Sequence, residues 1–213
     1  MAYSYASAIA LSGSDVYVAG IAWNTNNDES AVLWVNGAAT LLPIPSGLTG
    51  DYYAHGIAVS GGNVYLSGNT DSSADTDTAI SWVNNGAATT LPIPAGVLYG
   101  EYGAVGIAVS GSDVYVAGSG STSAGSGTAA YWENGTPTAL PMPSNMIDSP
   151  ATSSAVGIAL SGSDVYTVGS LVDYTIGVGQ TGAYWVNGGE ATLLPMPSGT
   201  YESWASAIAV ATQ

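Results

Sequence analysis

A motif of thirteen residues occurs four times in this chain and limits the fold more than any other feature. The first copy reads AIALSGSDVYVAG and the third reads GIAVSGSDVYVAG. The four copies begin at Ala8, Gly56, Gly106 and Gly157, and a shortened copy, AIAV, begins at Ala207. Their isoleucines are 48, 50, 51 and 50 residues apart. Such a regular period is typical of repeat architectures, in which each unit buries its apolar face against its neighbours.

Each unit contains four short β-strand patterns, which we label A to D. Strands A and B flank a Ser-Gly-Ser-Asp or Ser-Gly-Gly-Asn sequence, a signal for a tight hairpin. Strands C and D are joined by Asn-Gly, which favours a type I′ turn with positive φ at both central residues. A Pro-x-Pro segment closes the unit, and because proline cannot donate to a β-ladder, we expect strand D at the sheet edge. The Asn-Gly pairs begin at Asn36, Asn85, Asn134 and Asn187, after strands that end in Trp34, Trp82, Trp132 and Trp185.

Four antiparallel units of this length predict an all-β fold, a β-propeller with four blades of four strands. Residues 1–213 are predicted to form a single domain, with repeats at about 1–45, 46–94, 95–143 and 144–197. Residues 198–213 add a surplus A-type strand at the C-terminus. A β-solenoid is the second interpretation, although it would have shorter rungs and fewer tight hairpins. The four recurring tryptophans are expected in the core, because repetition at one structural position marks scaffold.

The two ends of the chain are near duplicates, YSYASAIAL and ESWASAIAV. Three explanations compete for the surplus strand. It is a frayed tail, it marks a cut from a longer array, or it enters a neighbouring chain and gives a homo-oligomer by strand exchange. A fragment boundary is the favoured explanation, and strand exchange stays as an alternative hypothesis.

The chain contains no Lys or Arg, and its fifteen Asp and Glu residues give a formal net charge of −15. Nucleic acid is excluded as a partner, because phosphate binding depends on Lys and Arg. Membrane insertion is not expected, since no apolar run approaches the roughly 18 residues of a spanning helix. The N-terminus has no pattern of a signal peptide. A trypsin-like protease finds no cleavage site, which suits an extracellular or cell-surface location.

Two families of bacterial propeller repeats are similar to these units. The stretch GIAVSGSDVYVAG resembles the SBBP-type repeat, whose hallmark is a Gly-Asn-Val-Tyr-Val-x-Gly turn and strand. The Gly-Ile-Ala start, the Trp-x-Asn-Gly turn and the following Leu resemble the HAF-type extracellular repeat. The resemblance covers nearly the whole chain but consists of structural positions. It implies a secreted or surface-exposed propeller, and such repeats share no catalytic motif.

The B–C and D–A loops are the long and variable segments, and a propeller gathers them on one face. Binding residues tend to lie on variable loops held by a rigid scaffold. Aromatic faces stack on sugars and carboxylates accept hydroxyl protons, so this face predicts binding of carbohydrate or of a protein surface. The alternative is that these aromatic residues only pack between blades. The candidate ligand-binding residues are Trp23, Asp28, Asp51, Tyr52, Tyr53, His55, Tyr99, Glu101, Tyr102, Tyr201 and Trp204.

The sequence contains no arrangement typical of an active site, and we expect a non-enzymatic binding module. The alternatives are a structural or adhesive surface or filament module that self-associates through the surplus strand, and an enzyme acting at the central axis. His55 is the only histidine, so it cannot form a metal site alone, and a structural role is expected. No cofactor is expected. A weak candidate for calcium is the acidic loop that contains Asp71, Asp75 and Asp77.

Overall fold

The computed structural model is an all-β protein made of four four-stranded antiparallel sheets. It describes residues 3–44, 46–71, 77–94, 103–121, 127–146, 151–173 and 179–210. Within these ranges there is no α-helix, only one short 3₁₀ turn at Ser144–Met146, and so no helix that is long and apolar enough to cross a membrane. The prediction of four repeated antiparallel units is therefore confirmed.

The strands follow one another along each sheet in chain order, so each A strand lies at one edge and each D strand at the other. The predicted position of strand D at the edge is thus correct. Sheet 1 contains β1 (Ser4–Ser12), β2 (Asp15–Trp23), β3 (Glu29–Val35) and β4 (Ala38–Leu41). Sheet 2 contains β5 (Asp51–Ser60), β6 (Asn63–Asp71), β7 (Thr78–Val83) and β8 (Thr89–Thr90). Sheet 3 contains β9 (Ala104–Ser110), β10 (Asp113–Ser121), β11 (Gly127–Glu133) and β12 (Thr136–Ala139). Sheet 4 contains β13 (Ala151–Ser161), β14 (Asp164–Asp173), β15 (Thr181–Val186) and β16 (Thr192–Leu193).

An asparagine ties the A–B turn to the C–D turn in every sheet. In sheet 1, Asn36 Oδ1 accepts the Val16 N–H at 2.9 Å and Asn36 Nδ2 donates to Asp15 Oδ1 at 2.9 Å. The equivalent bonds join Asn84 to Val64 and Asn63, Asn134 to Val114 and Asp113, and Asn187 to Val165 and Asp164. All the short turns therefore lie at one end of the sheets, and the B–C and D–A connections lie at the other, which we call the loop end.

The expected Asn-Gly turn at Asn85 is wrong by one residue. Asn84 and Asn85 occupy the two central positions, with φ of 49° and 59°. The reason is geometric, because Asn84 lies two residues after Trp82, as Asn36 does after Trp34, and only from there does the side chain reach the neighbouring hairpin. The other three turns have positive φ at Asn and at Gly, as predicted.

The sheets stack face to face, and their A strands approach closely. Strand β5 packs on sheet 1, β9 packs on sheet 2 and β13 packs on sheet 3. A Cβ atom at Gly106 would lie 3.0 Å from the Gly157 Cα and 3.0 Å from the Val156 carbonyl oxygen, so a larger residue would push two A strands apart. Small residues at these positions let the backbones meet.

One contact recurs between neighbouring sheets, and we call it the Trp–Leu–Pro contact. The indole Nε1 of Trp82 donates to the Pro43 carbonyl at 2.8 Å, and Trp82 and Leu42 share one buried core cluster. Equivalent contacts join Trp132 to Leu91 and Pro92, and Trp185 to Leu140 and Pro141. These three tryptophans are buried, as predicted, whereas Trp34 in sheet 1 is half-buried because none of the other described sheets covers it.

The stack of sheets is open, and sheet 1 exposes the face that later sheets bury. Ile9 is 66% exposed, while its equivalents Ile57 and Ile158 are 9% and 7% exposed. Leu11 is 68% exposed, whereas its equivalent Val59 is half-buried. The described residues thus form four sheets that are consistent with blades but do not close into a ring.

The expected fifth A-type strand is present only as an unpaired extended segment. Residues 201–210 form no β-ladder, since no B strand lies beside them. The segment nevertheless lies on sheet 4 as β5 lies on sheet 1. Ser203 N donates to the Gln180 carbonyl at 2.7 Å, Ala205 N donates to the Gly169 carbonyl at 3.4 Å, and Ile208 lies against Gly157.

We expect the Trp–Leu–Pro contact to dominate the stability of the stack. Replacing Trp82 by Phe should lower the free energy of unfolding by about 2–3 kcal/mol, because a cavity forms and the donor to the Pro43 carbonyl is lost. Trp34→Phe is the matched control and should cost less than about 1 kcal/mol, since Trp34 is half-buried. Urea unfolding of the two variants measures the difference. Equal losses would contradict this role.

Candidate functional site

The predicted ligand-binding residues fall into two groups at opposite ends of the stack. Six of them lie in strands of sheets 1 and 2 or in the B–C loop of sheet 1, namely Trp23, Asp28, Asp51, Tyr52, Tyr53 and His55. Tyr201 and Trp204 belong to the extended segment on sheet 4. Tyr99, Glu101 and Tyr102 lie outside the described residues. The structure therefore does not bring the described candidates together on one surface.

The loop end of sheets 1 and 2 holds an acidic group that we call the Tyr53 cluster, made of Glu29, Asp51, Tyr53, Asp71 and Asp77. The Asp51 Oδ1 atom accepts the Glu29 N–H at 2.7 Å, which ties the start of β5 to the start of β3. Asp51 also pairs with Asp71 across β5 and β6. These two contacts place Asp51 beside the start of β3 and opposite the end of β6.

The phenol of Tyr53 lies in the field of all these carboxylates. Burial raises the pKa of Tyr53 above its ordinary value, and the negative charges of Glu29, Asp51, Asp71 and Asp77 raise it further. No Lys or Arg exists in the chain to balance them. The phenol therefore stays protonated and keeps its hydroxyl hydrogen as a donor.

His55 is half-buried and lies between Asn69 and Tyr53. Its Nε2 lies 2.6 Å from the Asn69 Oδ1, and its ring stacks on Tyr53 with 6.1 Å between ring centroids. Burial lowers the pKa of His55, although the hydrogen bond to Asn69 opposes this shift. The described partners of His55 thus lie within the hairpin of β5 and β6.

The B–C loop of sheet 1 is organised by its own side chains. Asn24 Oδ1 accepts the N–H groups of Asn26 and Asp28, at 2.8 and 3.1 Å, and Asn24 Nδ2 donates to Asp28 Oδ2 at 2.7 Å. Asp28 thus holds the turn. Trp23 is half-buried, and its main-chain N–H donates to the Tyr3 carbonyl at 2.9 Å. Neither residue forms part of the Tyr53 cluster.

The calcium candidate is only partly covered by the structure. The charges of Asp71 and Asp77 both raise the pKa of Tyr53, while Asp75 lies outside the described residues. In the described part of the chain, no three His, Cys, Asp or Glu side chains are placed to hold a metal ion. The described carboxylates by themselves therefore provide no metal centre.

Sequence reasoning missed two residues of this region, Glu29 and Asn69. Glu29 begins strand β3, and its contribution arises from its contact with Asp51 of the next sheet. Asn69 lies inside strand β6, opposite Tyr53 in the β5–β6 hairpin, and its contact with His55 depends on the register of that pair. The sequence alone reveals neither the contact between sheets nor this register.

Comparison with known proteins adds little to this picture. No protein-family model matches the chain, and no curated protein matches it. Among solved structures, the chain is similar to the GH43 endo-arabinanase from Bacillus licheniformis. The likeness has a TM-score of 0.45 and 10% identity, and covers 91% of this chain and 80% of that one. It is too distant to say anything about activity.

His55 should make stability depend on pH between about 5 and 7. Because its pKa is lowered in the folded state, the unfolded chain binds more protons in this window. The stabilisation is thus present above the unfolded pKa of about 6.5 and is lost as the pH falls. Urea midpoints measured across this range should fall with acid in the native protein. His55→Gln, which removes the only histidine, should flatten the curve, and an unchanged slope would contradict the assignment.

Proposed function

We propose that the protein is a non-enzymatic extracellular binding module that recognises carbohydrate through its loop end. The observation that carries the proposal is the Tyr53 cluster, in which a phenol lies in the field of four carboxylates in a chain without Lys or Arg, and Asp51 is held beside Glu29 and Asp71. Another hydroxyl-rich surface ligand would meet the same groups.

Carbohydrate suits this chemistry better than other ligand classes. Carboxylates accept hydrogen bonds from sugar hydroxyl groups, and charge-assisted bonds are the stronger ones. Tyr53 adds aromatic surface with a polar tip, whereas Tyr52, the preceding residue of β5, packs against the core shared by sheets 1 and 2. An anionic ligand would be repelled, because the whole chain carries a net charge of −15.

The wider setting belongs to the same proposal. We regard the four sheets as blades of a four-bladed propeller of the SBBP or HAF type, with the loop end as the binding face. The extracellular or cell-surface location is supported by the absence of Lys and Arg, which leaves no site for trypsin-like proteases. Calcium at the acidic loop of sheet 2 would be an accessory to sugar binding.

The binding proposal is tested with a glycan array followed by calorimetry on the best ligands, with and without calcium. Tyr53→Phe and Asp71→Asn should each weaken the binding constant by about tenfold, because the first removes a hydrogen-bond donor and the second removes the charge of an acceptor. Glu133→Gln is the matched control at the turn end, where Glu133 accepts from the Tyr115 hydroxyl, and should bind normally. A blank array and blank calorimetry would overturn the proposal, and so would unchanged binding by Asp71→Asn.

A second candidate function is a structural or adhesive module that self-associates through the C-terminal segment. The specific observation is that sheet 1 exposes Ile9 and Leu11 at one end of the stack. At the other end, Tyr201 and Trp204 are exposed on the extended segment. Large apolar surfaces of this kind mark interaction sites.

Self-association should appear as a molar mass that rises with protein concentration. Light scattering across a hundredfold dilution series measures it. Added salt should favour the larger species, because it screens the repulsion between chains of net charge −15. A constant mass equal to that of one chain, at every concentration and salt level, would rule this function out.

A further inference from the structure

The Trp–Leu–Pro contact is left in two unmatched halves at the ends of the stack. Leu42, Leu91 and Leu140 are 1%, 5% and 2% exposed, because the tryptophan of the next sheet covers each of them. Leu194, the equivalent residue of sheet 4, is 38% exposed and is followed by Pro195. At the other end, Trp34 is half-buried, and no proline carbonyl of the described residues accepts from its indole.

The C-terminal segment, residues 201–210, contacts the rest of the protein on one side only. The side that faces sheet 4 is packed, since Ile208 lies against Gly157 of β13. The edge of the segment has no neighbouring strand. Among the described residues, its main-chain hydrogen bonds are those from Ser203 N and Ala205 N, so residues 206–210 carry unused strand-pairing groups.

Residues 203–210 match residues 4–11 of strand β1 at six of eight positions, the exceptions being Trp204 for Tyr5 and Val210 for Leu11. Strand β1 pairs with β2 in a register that places Ile9 opposite Val18 and Leu11 opposite Val16. A segment of the same sequence fits the same register, with Ile208 opposite Val18. The acceptor for the open edge is therefore a β2 strand.

We propose that residues 203–210 of one chain replace β1 beside β2 of a second copy of this chain. The second copy's sheet 1 then continues the stack on sheet 4, so that its Trp34 covers Leu194 and donates to the Pro195 carbonyl. This inference rests on the second candidate function and names its partner and its contacts.

The exchange replaces the interactions that it breaks with interactions of the same kind. The incoming segment rebuilds the β1–β2 ladder residue for residue, and its Ala207 and Ala209 reproduce Ala8 and Ala10. The displaced strand gives up little, because Ile9 and Leu11 are already exposed. The surplus is the burial of Trp34, Val16 and Leu194, and apolar burial is the main driving force for association.

The proposed interface between the two chains also avoids charged side chains, which matters because two chains of net charge −15 repel each other. Residues 203–210 contain no Asp or Glu, and the exposed face of sheet 1 is apolar. Continuity with three existing contacts of the same kind in the described sheets argues for a second copy as the occupant. A partner of different sequence would not supply the same tryptophan and strand edge.

Disulfide trapping in the full-length chain tests the strand placement, because the chain has no cysteine of its own. Val210 takes the place of Leu11, which faces Val16, and opposed residues of an antiparallel pair lie within disulfide reach. The double variant Val16→Cys with Val210→Cys should give, after mild oxidation, a ladder of covalent multimers on a non-reducing gel. Val83→Cys with Val210→Cys is the matched control, since Val83 is exposed in sheet 2, and should give at most a dimer.

The outcomes separate the strand placement from self-association itself. A mass that rises with concentration but no ladder from the 16/210 pair would overturn the strand placement and leave the second candidate function standing. A 16/210 disulfide confined to single chains would show closure into a ring and overturn the second copy as occupant. Ladders of equal intensity from both pairs would mean non-specific contact and overturn the proposal.

A second variant tests the Trp–Leu–Pro contact across the proposed interface. Leu194→Glu should weaken association by about tenfold, because it places a charge where Trp34 of the second copy would pack. Val83→Glu carries the same change at an exposed site in sheet 2 and should associate as the native chain does. Both variants should keep the native β-sheet circular dichroism. Equal association of the two variants would contradict the contact.

Discussion

The structure depends on one contact, in which a tryptophan at the end of strand C covers a leucine of the preceding sheet and donates its indole N–H to a proline carbonyl. The contact joins sheets 1 and 2, sheets 2 and 3, and sheets 3 and 4. It combines a large apolar burial with a hydrogen bond that fixes direction, so it sets both the spacing and the order of the sheets. The proline matters for its carbonyl oxygen, which remains available because the residue lies beyond the end of strand D.

Because the chain has no Lys or Arg, apolar contacts such as this one contribute a larger share of its stability. No ion pair with Lys or Arg exists anywhere in the chain, so ladder hydrogen bonds, asparagine ties at the turns and apolar packing hold the fold together. The carboxylates of Glu29, Asp51, Asp71 and Asp77 likewise have no Lys or Arg to balance them, and their charges raise the pKa of the Tyr53 phenol.

Much of the fold could be predicted from the repeat. The hairpins, the edge position of strand D and the burial of Trp82, Trp132 and Trp185 all follow from residue types that recur in every unit. The turn of sheet 2 was placed one residue late, because Asn-Gly is the stronger local signal while the tie to the neighbouring hairpin selects Asn84. The candidate site was predicted only in part. Asp51 and Tyr53 were recognised, but Glu29 was not, since its contact with Asp51 crosses from one sheet to the next.

The sequence by itself determined the four-stranded unit, its number of copies and the duplicated strand at the two ends. These follow from local propensities and from a period that needs no knowledge of distant contacts. Only the tertiary structure decided that Ile9 and Leu11 are exposed while Ile57 and Ile158 are buried, although all four occupy equivalent repeat positions. The physical reason is that burial in a stack is supplied by the neighbouring sheet, and none of the other described sheets covers this face of sheet 1.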